Sequence, residues 1–136
     1  MKKNNFVNQK SLKLHENLIR SVSDHLEREG YKVTANHIKH PNGSPRNLNG
    51  FTPDIRAIKN FEEIIIEVET CTSLLFQNKL KWKRFSFDNR RFWVVVPPEC
   101  LEAAKMRKET FNIDVEIYCN YPHQEFSIAL EAANSK

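Results

Sequence analysis

Across residues 11–29 the apolar positions Leu12, Leu14, Leu18, Ile19, Val22 and Leu26 fall mostly at three- and four-residue steps. That is the period of an amphipathic helix, and Gly30 supplies a stop at its end. Residues 31–38 are β-branched and weakly alternating, which predicts a strand. Residues 40–50 hold Pro41, Asn42, Gly43, Pro45, Asn47, Asn49 and Gly50 and read as a loop. Residues 51–58 and 61–69 predict two neighbouring strands around a turn at Lys59-Asn60, and the run Ile64-Ile65-Ile66 marks the second as covered on both faces. From Thr72 to about Phe87, lysines interleave with Leu75, Phe76, Leu80 and Trp82 in a helical pattern. Arg91 to Val96 is a further buried strand closed by Pro97-Pro98. Residues 99–111 then suit a helix with Glu99 and Glu102 near its N-terminus, and residues 113–118 a last strand. Residues 126–130 fit either a strand or a short helix. The order helix, three strands, helix, strand, helix, strand predicts an α/β fold with a central mixed sheet and helices on both faces.

At 136 residues, 40% hydrophobic and 28% charged, the chain has the size and composition of one domain with its own core. Residues 1–10 are expected to form a basic N-terminal arm, 11–119 the domain, and 120–136 a C-terminal extension. No apolar run approaches the roughly 18 residues of a membrane helix. The opening Met1-Lys2-Lys3-Asn4-Asn5 has no signal-peptide core. Cys71, Cys100 and Cys119 are odd in number and irregular in spacing, so free thiols and a reducing cytoplasm are expected. His37 and His40 stand three apart in a loop without a cysteine partner and read as ordinary polar residues. The net charge of +4 matters chiefly through its distribution. Lys79, Lys81, Lys83, Arg84, Arg90 and Arg91 face a single acid, Asp88, over residues 77–91. Such a cluster attracts a polyanion, although a solvated helix face has the same pattern.

The strand after Ile66 ends in two carboxylates. Alternation puts Ile65, Glu67 and Glu69 on one face and Ile64, Ile66 and Val68 on the other. Asp54 follows Pro53 at the start of the preceding strand, and pairing as a hairpin would bring it beside Glu67. Carboxylates repel one another, so three together call for a cation; hard oxygen ligands suit Mg²⁺ or Mn²⁺. Taken singly, Glu67 and Glu69 could be a strand end emerging into water and Asp54 a turn-capping residue.

These residues resemble the PD-(D/E)xK nuclease superfamily, whose restriction-endonuclease-like core carries a Pro-Asp on one strand and an acid-x-Lys on the next. Pro53-Asp54 matches the first half; Glu67-Val68-Glu69 matches the second with glutamate in place of lysine. The similarity extends over about residues 11–118 and is nearest to archaeal-type Holliday junction resolvases and related small nucleases. It implies a first-helix catalytic glutamate at Glu16, and Mg²⁺ or Mn²⁺ held by Asp54, Glu67 and the Val68 carbonyl. Glu69 would assist water or a second metal. The lysine would move to the following helix, as Lys79 in preference to Lys83, with Gln77 resembling a glutamine that some branches place there. It also implies a homodimer.

The expected function is metal-dependent hydrolysis of DNA phosphodiester bonds, with selectivity for structure, such as branched DNA, or for ends ahead of strict sequence specificity. Lys79, Lys81, Lys83, Arg84, Arg90, Arg91 and Arg46 would grip the backbone. The alternative is a nuclease-like module that has lost catalysis and binds nucleic acid or a protein, with Glu69 in the lysine position as its main support.

Overall fold

Leu18, Ile19, Val22 and Leu26 of the first helix are buried against the central sheet in a computed structural model that describes residues 2–87, 90–121 and 126. Helix α1 spans Lys2–Arg28. Most of the expected arm over residues 1–10 is therefore helical: neither proline nor glycine precedes Gly30 to interrupt the backbone. Leu12 and Leu14, by contrast, are exposed, so the buried stripe begins later than the spacing predicts.

Five strands form one sheet in the order β1-β2-β3-β4-β5: Lys32–Ala35, Ile55–Lys59, Glu62–Val68, Arg91–Val96 and Glu116–Cys119. The first three are antiparallel; β4 and β5 continue in parallel with β3. The mixed α/β sheet expected from the alternation is thus present, and its helices lie on both faces. Ile64, Ile66 and Val68 pack with α1, whereas Ile65 packs with Trp82, Phe85 and Phe111 on the other side. Phe92 and Trp93 are core residues of the two faces, and Phe126 packs against Trp93 and Tyr118. Residues 127–130 of the ambiguous tail lie outside the described residues.

The turn between β2 and β3 is tight because Asn60 takes the left-handed conformation (φ 54°) that asparagine tolerates. Beyond β3 the single helix expected over 72–87 is split into α2, Cys71–Leu75, and α3, Lys79–Phe85. Local chemistry explains the break. Thr70 and Ser73 cap α2 reciprocally, while the Asn78 side chain accepts from the Leu80 N–H and starts a new helix. After β4, Pro98–Cys100 makes a 3₁₀ turn into α4, Leu101–Phe111, which ends at Asn112 in the left-handed region.

The expected free thiols are corrected at two of three positions. Cys71 and Cys100 are joined in a disulfide, with Cα atoms 5.1 Å apart, and Cys119 is buried. Twenty-nine positions separate the pair in sequence, but topology brings them together. Each follows the C-terminal end of one of the adjacent parallel strands β3 and β4, so both arrive at the same end of the sheet. No described helix is long and apolar enough to cross a membrane.

Candidate metal centre

The β2–β3 register pairs Ile55 with Ile66, and one step further it sets Asp54 opposite Glu67. Side chains take over where strand pairing ends. The Asp54 N–H donates to Glu67 Oε2 (2.9 Å), and the Val68 N–H donates to Asp54 Oδ2 (2.9 Å). Glu69 lies just past β3, its N–H bonded to the Val95 carbonyl at 3.0 Å. Ser73 Oγ donates to Glu69 Oε2 at 3.3 Å, and the Gln77 amide donates to the same oxygen. Asp54, Glu67 and Glu69 each offer an oxygen within 4.8 Å of the others, at 5%, 0% and 4% exposure. Three acids so thoroughly removed from water need compensation.

Part of it comes from α3. Lys81 Nζ lies 2.5 Å from Glu67 Oε1, an ion pair against a fully buried oxygen. Two imidazoles supply more. His15 Nε2 lies 3.2 Å from Asp54 Oδ2 and His37 Nε2 lies 3.4 Å from Oδ1, one ring on each carboxylate oxygen. His37 holds this position with φ 66°, a conformation uncommon outside glycine.

These contacts divide the acids. Burial alone would raise the Asp54 carboxyl, but hydrogen bonds from His15 and His37, the His15 charge and the Val68 N–H hold it well below the usual range. Glu67 moves the other way: burial, then the charge of Asp54, raises it well above normal despite Lys81. Burial also pushes Glu69 up to about 7, against the Lys81 charge and the Gln77 amide. Burial works against the charged form of Lys81, yet Glu67 and its neighbours outweigh it and the ammonium is favoured. The same balance, with Asp54 as chief partner, raises His15.

The donor set fits a hard divalent cation. Three carboxylates converge, one lysine faces them, and two of the acids are costly to ionise unless more positive charge is added. Asp54, Glu67 and Glu69 could hold it. Val68, whose carbonyl was the further expected ligand, is seen here through its N–H on Asp54.

The other expected residues separate. Glu16 is half-buried and outside the carboxylate group; its neighbour His15 is the α1 residue that reaches Asp54. His15 lies four before Ile19, in phase with the buried stripe through Val22 and Leu26, and Glu16 is one position off it. Helix phase was the signal for His15; His37, in an irregular loop, had none. Lys81, not Lys79 or Lys83, meets the acids. Lys79 and Lys83 instead line an open groove of about 400 Å³ with Ser86, Phe87 and Asp114. Arg84 and Arg46 are exposed. Arg90 pairs with Glu63, and Arg91 bridges Glu62 and Glu116 at 2.6 and 2.5 Å. Arg91 begins β4 three positions before Val94, the partner of Glu67, which is roughly 10 Å away along the strand. These two arginines therefore belong to an ion-pair network at the other end of the sheet.

Comparison with known protein families, with curated proteins and with solved structures returns no match to this chain.

Proposed function

We propose that the protein is a Mg²⁺- or Mn²⁺-dependent phosphodiesterase that cleaves DNA, in the manner of the PD-(D/E)xK nucleases its motifs resemble. The observation that carries this reading is the convergence of buried Asp54, Glu67 and Glu69 with Lys81 against Glu67. A divalent cation held there would polarise a phosphoryl oxygen and acidify a water. The chain's own residues have separable tasks. Asp54 and Glu67 would hold the cation, with one oxygen of Glu69 completing the carboxylate set, and His15 and His37 orient Asp54 from either side. Glu69, with its carboxyl near neutrality, takes a proton from the attacking water at physiological pH. Lys81 stabilises negative charge developing on the phosphate. It supplies from the following helix the positive charge that the resemblance would place at position 69, and this argues against the inactive-module alternative. Exposed Lys79, Lys83 and Arg84 on α3 contact the backbone without reading sequence. Selectivity for branched DNA and pairing of two copies follow from the same resemblance.

The test is incubation with branched, duplex and single-stranded DNA in Mg²⁺, Mn²⁺ or EDTA, beside Asp54→Ala and Glu67→Ala. Cleavage is expected in the metals, absent in EDTA, and reduced at least about a hundredfold in both variants. Binding without cleavage in either metal would overturn the enzymatic reading and leave the binding module in its place.

A further inference from the structure

Two residues beyond Glu69, the Cys71 side of the disulfide begins α2. A five-residue helix does not persist by itself, so what keeps α2 in place comes from its attachments. They run to both ends. Leu74 is buried, and Arg107 of α4 donates to the carbonyls of Leu74 (2.8 Å) and Leu75 (3.1 Å) at the far end. At the near end the covalent tie is the bond from Cys71 to Cys100, which itself leads into α4. Ser73 in α2 and Gln77 just past it are the two side chains that hold Glu69 Oε2. The disulfide thus fastens to the domain the short segment that aims one of the three carboxylates. Cys71 is exposed and Cys100 is buried. A reductant therefore reaches the bond from the Cys71 side.

We propose that Cys71–Cys100 is a thiol-exchange site that sets the affinity of the carboxylate centre for its cation, an inference that rests on the metal-site reading above. The co-reactant is a dithiol. One of its thiolates attacks Cys71 Sγ; the S–S bond breaks, and its electron pair leaves on Cys100 Sγ, which takes a proton. The second thiolate of the reductant then displaces Cys71 Sγ, which is protonated in turn. The protein disulfide gains two electrons and two protons, and the dithiol leaves as its own disulfide. With the near-end tie gone, α2 is held by Leu74, Arg107 and its own cap at Thr70. Ser73 and Gln77 then fix Glu69 less firmly, and the cation is bound more weakly.

The experiment uses the full chain, oxidised or reduced with dithiothreitol and then freed of it without air. Free Mn²⁺ is followed by electron paramagnetic resonance, and amide exchange is read over residues 70–78. Reduction is expected to weaken Mn²⁺ binding about tenfold, reversibly, and to speed exchange in that segment while leaving β3 and β4 protected. Cys71→Ser, an exposed substitution, should bind Mn²⁺ like the reduced protein and ignore dithiothreitol. Equal Mn²⁺ affinity in the two redox states, or Cys71→Ser binding like the oxidised form, would overturn the proposal. If the oxidised protein takes up no Mn²⁺ at all, the metal-site reading fails. Unchanged exchange over 70–78 on reduction refutes the tether whatever the metal does.

Discussion

Glu69→Gln is the substitution whose energetics follow most directly from the site. Glu69 is 4% exposed, and its carboxyl is pushed from an ordinary value of 4.5 up to about 7, chiefly by burial. Between those two values the folded protein keeps a proton that the unfolded chain has released, so this group makes stability fall as pH rises. Above about 7 the folded carboxyl is ionised too, and the cost levels off. The difference amounts to about 1 kcal/mol at pH 5 and about 3 kcal/mol at pH 8, taking about 1.4 kcal/mol per unit. His15, whose folded state also favours the proton, adds a contribution of the same sign. Glutamine has no proton to lose, and its carbonyl can still accept from Ser73 and Gln77. In EDTA, urea denaturation should therefore find Glu69→Gln more stable than the wild type, by an increment that grows from about 1 to about 3 kcal/mol between pH 5 and pH 8. Saturating Mn²⁺ should narrow or reverse the gap at pH 8, because the intact carboxylate set binds the ion more tightly. An increment independent of pH, or a variant less stable than wild type at pH 8, would refute the assignment of burial as the cause.

Two further outcomes separate the elements of the site. Lys81→Met should reduce Mn²⁺-dependent DNA cleavage about a hundredfold, whereas Lys79→Met should change it far less; equal losses would mean that Lys81 acts as general positive charge and not through Glu67. Arg91→Ala should cost about 1 kcal/mol in thermal or urea denaturation, since it removes the positive partner of Glu62 and Glu116 at the exposed end of the sheet, and should leave the salt dependence of DNA binding unaltered; a shallower salt slope would return Arg91 to the nucleic-acid surface.

The parts of the site that obey a two-residue period were legible in the chain. Strand alternation put Glu67 with Ile65, and the hairpin pairing carried Asp54 across to Glu67, because both depend only on local backbone geometry. The strand Arg91–Val96 was equally plain, a continuous apolar run ended by two prolines. What arrived by helix was harder to read. A phase error of one residue exchanges His15 for Glu16, each residue turning the helix by about 100°. On the far side of β3, the break at residues 76–78 resets the phase, so a continuous helix through Lys79 and Lys83 aims the wrong lysines. Asn78 is a strong helix starter, but an isolated asparagine inside a lysine-rich run does not stand out until its side chain is seen on Leu80. His37 and the Cys71–Cys100 bond depend on long-range topology, and spacing carries no trace of either.

The crossed bonds between Asp54 and Glu67 bear on which ion the centre would accept. Since each carboxylate is tied to the opposite strand's backbone, their separation is governed by the spacing of paired strands, about 4.8 Å, and hardly at all by side-chain freedom. The aperture of the proposed site is thus inherited from the sheet. Lengthening one acid by a methylene, as in Asp54→Glu, cannot widen it without detaching the last rung of the ladder. Discrimination by ionic radius would then be a property of the main chain, and the side chains would serve only to deliver charge to a gap whose width is already decided.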